Sequence, residues 1–185
     1  WAKIRVPANG IYNLTADVVR RAGFSDLSKV RIYGYGGNLQ NEKISSAYLK
    51  EFDDLKEVPS CLIGGKRLFY GRGPVSWDSN TAVVRTRNHY SDYGYYFITE
   101  STEAPLTIDA DAFLASVYPT ADDYHSLHEV ENYSWFPGGR RFFENTPIPL
   151  GKSQTYTFKN ETKATNRTFA IGVSAGKGRT TVQVE

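Results

Sequence analysis

Apolar and polar positions alternate in short runs through the first hundred residues, and turn-forming residues cut the runs apart. In "AKIRV", Ile4 and Val6 fall on one side and Lys3 and Arg5 on the other, and Asn9-Gly10 then leads into "IYNLT". A period of two marks a half-buried strand, and Asn-Gly suits a tight reversal, so the pattern predicts a β-hairpin. Thr15 is placed to cap "ADVVRRAGF" and Gly23 to end it, which predicts a short helix near residues 16–22. "KVRIYGYGG" reads as a strand whose trailing glycines permit positive φ or a close chain approach. "SCLI" and "RLFY" meet at Gly64-Gly65 as a second hairpin, and "AVVRTRNHY" with "YGYYFIT" reads as a further antiparallel pair.

The pattern weakens from Leu106 onward, where "DADAFLASVYPTADDYHSLHEVENY" is compatible with helical turns or with an extended crossing segment. Alternation returns in "QTYTFKN", "RTFAIGVSAG" and "RTTVQVE", which predicts strands with one wet face. The expected fold is therefore mostly β: antiparallel sheets, β-sandwich-like, with one or two short helices. Two modules are expected, residues 1–104 with the short helix and residues 105–185 as a second β-rich unit. A chain without methionine that begins and stops in strand-like sequence is expected to be a piece of a longer protein.

Composition narrows the function classes. The 185 residues are 40% hydrophobic, enough for real cores, and no apolar run is long enough to span a membrane as a helix. A net charge of +2, with the basic residues scattered, disfavours nucleic acid as partner. The single Cys61 cannot form an internal disulfide.

Most of the chemistry-bearing residues have a structural reading that competes with a functional one. In "NHYSDYGYYFIT", Tyr93, Tyr95 and Phe97 share one face of a strand and Tyr96 and Ile98 the other, which predicts a strand buried on both sides. The competing reading is a ligand platform, since tyrosine offers a stacking ring and a polar tip. Cys61 with His89, His125 or His128 would make a thiolate–imidazole pair, but "PSCLIG" places the thiol in an apolar strand, unlike the electropositive seat of a nucleophile. Asp122, Asp123, His125, His128 and Glu129 have spacing compatible with metal ligands on a helix, but such spacing is common by chance and Pro119 disfavours a long helix, so a solvated loop is the favoured reading. "GYGG" and "GRGP" lack the spacing of phosphate loops and read as turns. Sequons stand at Asn13, Asn132, Asn160 and Asn166. No catalytic, cofactor-binding or metal site is assigned, and the candidate partner contacts are Tyr90, Tyr93, Trp77 and Trp135.

Six phrases in order carry a resemblance: "AKIRVPANGIYNLTADVVRRAGF", "KVRIYGYGG", "DDLKEVP", "RLFYGRGPVSW", "HYSDYGYYFITE" and "HEVENYSWFPGGRRFFEN", running from Lys3 to about Asn145. This series resembles the N-terminal region of the PorU family, the gingipain-like surface sortases of the Bacteroidetes type IX secretion system. The resemblance implies a noncatalytic region ahead of a cysteine peptidase domain, with no catalytic residue in this chain. It further implies a parent protein on the outer face of the outer membrane. That protein would remove C-terminal sorting domains from secreted cargo and help attach the cargo to anionic lipopolysaccharide, beside a PorV-like barrel. Expected partners are the downstream peptidase domain, that barrel and the cargo. The alternatives are a free-standing β-sandwich module that binds glycan or protein, and an inhibitory prodomain of a gingipain-like peptidase.

Overall fold

A computed structural model describes residues 1–77, 85–108, 126–134, 137, 142–144, 146–159, 167–175 and 181–184. The chain divides into two compact units, Trp1–Tyr118 and Pro119–Glu185. In the first unit the described elements run β1 (Ala2–Val6), β2 (Gly10–Thr15), α1 (Ala16–Arg21), β3 (Val30–Gly36), α2 (Ser46–Phe52), β4 (Ser60–Ile63), β5 (Lys66–Gly71), β6 (Val75–Trp77), β7 (Arg85–Arg87) and β8 (Gly94–Glu100). Three antiparallel sheets result, ordered β1-β8-β3, β2-β5-β4 and β6-β7, so the fold is mostly β as expected.

Local signals account for several elements. The Thr15 hydroxyl accepts from the Val18 amide at 3.3 Å, Asp17 sits in the first turn, and Arg20 and Arg21 sit in the last. Beyond Ala22 the Gly23 and Phe24 amides donate to the Arg20 and Val19 carbonyls, and Phe24 folds against the core. β4 and β5 form the expected hairpin, because Gly64 and Gly65 both take positive φ, 56° and 72°, and so match the strands' twist. α2 was not among the predicted elements; Ser45 caps it by accepting from the Tyr48 amide at 3.1 Å.

Two expected pairings are not formed. β1 does not pair with β2: it pairs with β8 (Ile4 opposite Tyr96), while β2 pairs with β5 in the other sheet (Tyr12 opposite Phe69). A hairpin at Asn9-Gly10 needs positive φ at both residues, and neither has it. Asn9 instead makes a corner, accepting from the Gly73 amide at 2.7 Å and donating to the Val75 carbonyl at 3.0 Å. Nor does "RTR" pair with "YGYYFIT". β7 pairs with β6, whereas β8, with its apolar side chains, lies at the centre of the first sheet.

The core lies between the first two sheets. Val6, Val30, Ile32, Tyr96 and Ile98 come from one sheet, Leu14 and Phe69 from the other, and Val19 from α1; all are buried. Phe69 meets Tyr96 edge to face at 5.4 Å. Buried Arg67 ties the sheets to the turn at Leu27–Lys29, donating to the Leu27 and Ser28 carbonyls (3.0 and 2.6 Å) and to the Ser60 hydroxyl (3.0 Å). "GYGG" and "GRGP" do more than turn: a Cβ on Gly94 would stand 2.0 Å from the Arg72 carbonyl oxygen, and one on Gly37 would stand 2.7 Å from Gly73. Only glycines let the ends of β3 and β5 cross the start of β8 this closely.

In the second unit, Tyr133 and Phe143 form an antiparallel bridge, with amide–carbonyl bonds of 2.9 and 2.7 Å. The described parts of the expected tail strands, residues 154–159, 167–175 and 181–184, carry no strand and are exposed. Alternation marks two faces but does not by itself satisfy a strand's backbone groups; a ladder partner must do that. Among the described residues no helix is long and apolar enough to cross a membrane.

Candidate functional site

The expectation that β8 is buried on both sides is corrected by its neighbours. Gly94, Tyr96 and Ile98 point into the core and are buried, whereas Tyr95, Phe97 and Thr99 are only half-buried on the outward face. The register explains the difference: Lys3 lies opposite Phe97 and Arg5 opposite Tyr95 on one side, and Tyr33 opposite Phe97 and Arg31 opposite Thr99 on the other. Cations and rings therefore share the outer face. The Lys3 ammonium stands 3.8 Å from the centre of the Tyr95 ring, and the Arg5 guanidinium 4.7 Å from that of Tyr93. These are diagonal neighbours across the strands, the geometry in which long side chains meet rings.

Trp1 extends this face, meeting Tyr33 edge-on at 5.2 Å while remaining 71% exposed. Trp1, Tyr33, Phe97, Asp54 and Leu55 line an open depression of about 440 Å³. On the β3 side the face ends in an ion cluster: Arg31 donates to Glu57 through Nε at 3.0 Å and to Glu103 through Nη1 at 2.6 Å, and Glu57 also accepts from the Leu106 amide at 2.7 Å. Burial of the Glu57 carboxyl opposes its ionisation, but the Arg31 hydrogen bond, the Leu106 amide and the Arg31 charge together hold its pKa below the usual carboxylate value. Hydrogen bonding to Glu57 pushes Arg31 further up, so it is charged at any ordinary pH. Burial and then the Glu57 charge raise the Tyr33 phenol, which stays protonated.

The three described candidate contacts do not converge. Tyr93 belongs to this face, beneath Arg5, with its ring 6.4 Å from that of Tyr95. Tyr90 lies on the loop before β8 and is 75% exposed. Trp77 is half-buried in the separate β6–β7 ribbon, and Trp135 lies outside the described residues. Lys3, Arg5 and Tyr33 were not singled out, because the alternation of "AKIRV" and of "KVRIYGYGG" gives no hint that β8 is their shared partner.

The other chemistry-bearing residues are scattered. Cys61 is half-buried in β4 and His89 is exposed on the loop before β8. Asp122, Asp123 and His125 lie outside the described residues, as do Asn160 and Asn166; Asn13 and Asn132 are exposed. In the second unit His128 Nε2 meets Glu144 at 2.9 Å, and Tyr156 donates to the other oxygen of the same carboxylate. The Tyr156 hydrogen bond and then that of His128 lower the Glu144 carboxyl, and Glu144 in turn raises the Tyr156 phenol. Among the described residues no group of three or more His, Cys, Asp or Glu side chains could hold a metal ion.

These features define a small antiparallel β module with a mixed aromatic and cationic outer face. No family model matches the chain, and no curated protein matches it. The chain is similar to part of the crystal structure of dimeric latent PorU from Porphyromonas gingivalis, with 38% sequence identity over 70% of this chain and a TM-score of 0.49. It spans 11% of that protein's length.

Proposed function

We propose that this chain is a noncatalytic N-terminal region of a PorU-like surface sortase. In this reading it docks a partner or positions the cysteine peptidase domain that follows, and the whole protein removes C-terminal sorting domains from cargo at the outer-membrane surface. The observation that carries the reading is the ordered series of phrases. Five of the six map onto the framework of the first unit: "AKIRV" and "GIYNLT" are β1 and β2, "KVRIYGYGG" is β3, "DDLKEVP" runs along β3 and supplies Glu57, "RLFYGRGPVSW" spans β5 and β6, and "HYSDYGYYFITE" contains β8. The outer aromatic face favours docking over a purely connecting role, since exposed rings beside cations are a contact surface.

Peptide mapping of the native product, captured from cells with an antibody to this region, tests the reading. It should reveal a protein that continues beyond Glu185 into a cysteine peptidase region. A product that ends near Glu185 would refute it and leave a free-standing binding module as the better account.

A further inference from the structure

We propose that the free edge of β1 takes up an extended peptide of alternating carboxylate and apolar residues, adding a fourth strand to the first sheet. The inference goes beyond the sortase reading and stands whether or not a peptidase domain follows.

The two edges of this sheet are treated differently. At β3 the chain covers its own edge: the Gly34 amide donates to the Lys56 carbonyl at 2.9 Å, the Val58 amide donates to the Ile32 carbonyl at 2.7 Å, and Tyr33 bridges Glu57. At the opposite edge β1 pairs along all five residues with β8, and among the described residues nothing pairs with its other side. Among the described residues, every second backbone N–H and C=O of Ala2–Val6 is thus left for an incoming strand.

The charges are divided in the same way. Arg31, on the covered side, is neutralised by Glu57 and Glu103. Lys3 and Arg5, on the open side, have no carboxylate within ion-pair reach among the described residues; their contacts are the faces of Tyr95 and Tyr93. A strand added to β1 would set its outward side chains beside Lys3 and Arg5, where carboxylates complete the charge balance. Its inward side chains would lie beside Ala2 and Ile4, which pack on the core yet stay half-exposed, where apolar groups extend the core. The period of two in β1 thereby dictates a period of two in its partner. A second copy of this chain is a poor occupant, because antiparallel pairing of β1 with itself sets Lys3 and Arg5 against like charges.

The test uses the whole chain and fluorescently labelled octapeptides: one alternating glutamate and valine, an isomer with the same residues in two blocks, and an alternating lysine–valine peptide. Fluorescence anisotropy should show saturable binding of the first peptide, at least roughly tenfold tighter than the block isomer, weakening with salt. Hydrogen exchange should show new protection in Ala2–Val6. The Lys3→Glu/Arg5→Glu variant should lose the glutamate peptide and gain the lysine one. Lys3→Gln/Arg5→Gln, a gentler change at exposed positions, should weaken binding while lowering the melting temperature only modestly, by the loss of two exposed cation–ring contacts. Equal binding of the alternating and block peptides would overturn the proposal. So would binding without protection at β1, or occupation of the edge by a second copy, seen as a dimer by light scattering with Ala2–Val6 already protected from exchange in the absence of peptide.

Discussion

Tyr95 and Tyr96 are neighbours in sequence and lie on opposite sides of one sheet. Tyr96 is fully buried against Phe69, and its hydroxyl accepts a hydrogen bond from the Arg72 amide at 2.8 Å. Tyr95 is half-buried under the Lys3 ammonium. Burial and the need for a partner hold Tyr96 in a single role, and its phenol is pushed above its ordinary pKa, with burial as the first cause. Tyr95 meets no such demand, and its ring lies against a cation that water also reaches. The same residue type is framework on one face and contact surface on the other, so the number of tyrosines in a stretch does not reveal which it is.

Substitutions on the two faces should therefore differ in size. The largest effect is expected inside: Phe69→Ala removes a ring packed between Tyr12 and Tyr96 and should lower unfolding free energy by about 3–5 kcal/mol in urea titration. A loss under about 1 kcal/mol would mean that the two sheets do not share this core. Gly94→Ala, at an inward position of β8, forces a methyl onto the Arg72 carbonyl and should cost about 1–3 kcal/mol or more. A neutral outcome there would contradict the close crossing of β3, β5 and β8.

At the rim of the outer face the effect should depend on pH. The folded-state pKa of Glu57 is lowered, so its contribution to stability is present above the unfolded pKa and is lost as pH falls through the folded value. Glu57→Gln should accordingly lose less stability than the native chain when pH is lowered from about 5 to about 2, a window set by an unfolded carboxyl near 4.3. Parallel curves for the two proteins would show that the Arg31 cluster is not what holds this carboxylate. The smallest effect belongs to the middle of the outer face: Lys3→Gln removes one exposed cation–ring contact and should cost about 0.5–1 kcal/mol at most. A loss of several kcal/mol would place Lys3 among the framework residues and erase the contrast between the faces.

The candidate site was partly legible. Tyr93 was found from aromatic density, and the outward set of Tyr93, Tyr95 and Phe97 follows from a period of two. Lys3 and Arg5 were recognisable as one face of a strand, but their meeting with these rings depends on a pairing across about ninety residues of chain. The ion cluster of Arg31, Glu57 and Glu103 is nonlocal in the same way, since its members come from β3, from the segment that covers it and from the chain after β8.

Local chemistry was sufficient for the elements whose bonds close within a few residues. The Thr15 cap and the ending of α1 at Gly23 and Phe24 are of this kind, and so is the reversal at Gly64-Gly65. Alternation likewise assigned each strand two faces. Which strand lies beside which was settled only in the folded molecule. Asn9-Gly10 has the residues of a hairpin turn, yet Asn9 bonds to Gly73 and Val75, and β1 and β2 join different sheets. The reason is physical. A strand's side-chain pattern states what it must bury, whereas its neighbour is chosen by whichever distant segment can satisfy its backbone groups and fill the same core, and that choice belongs to the chain as a whole.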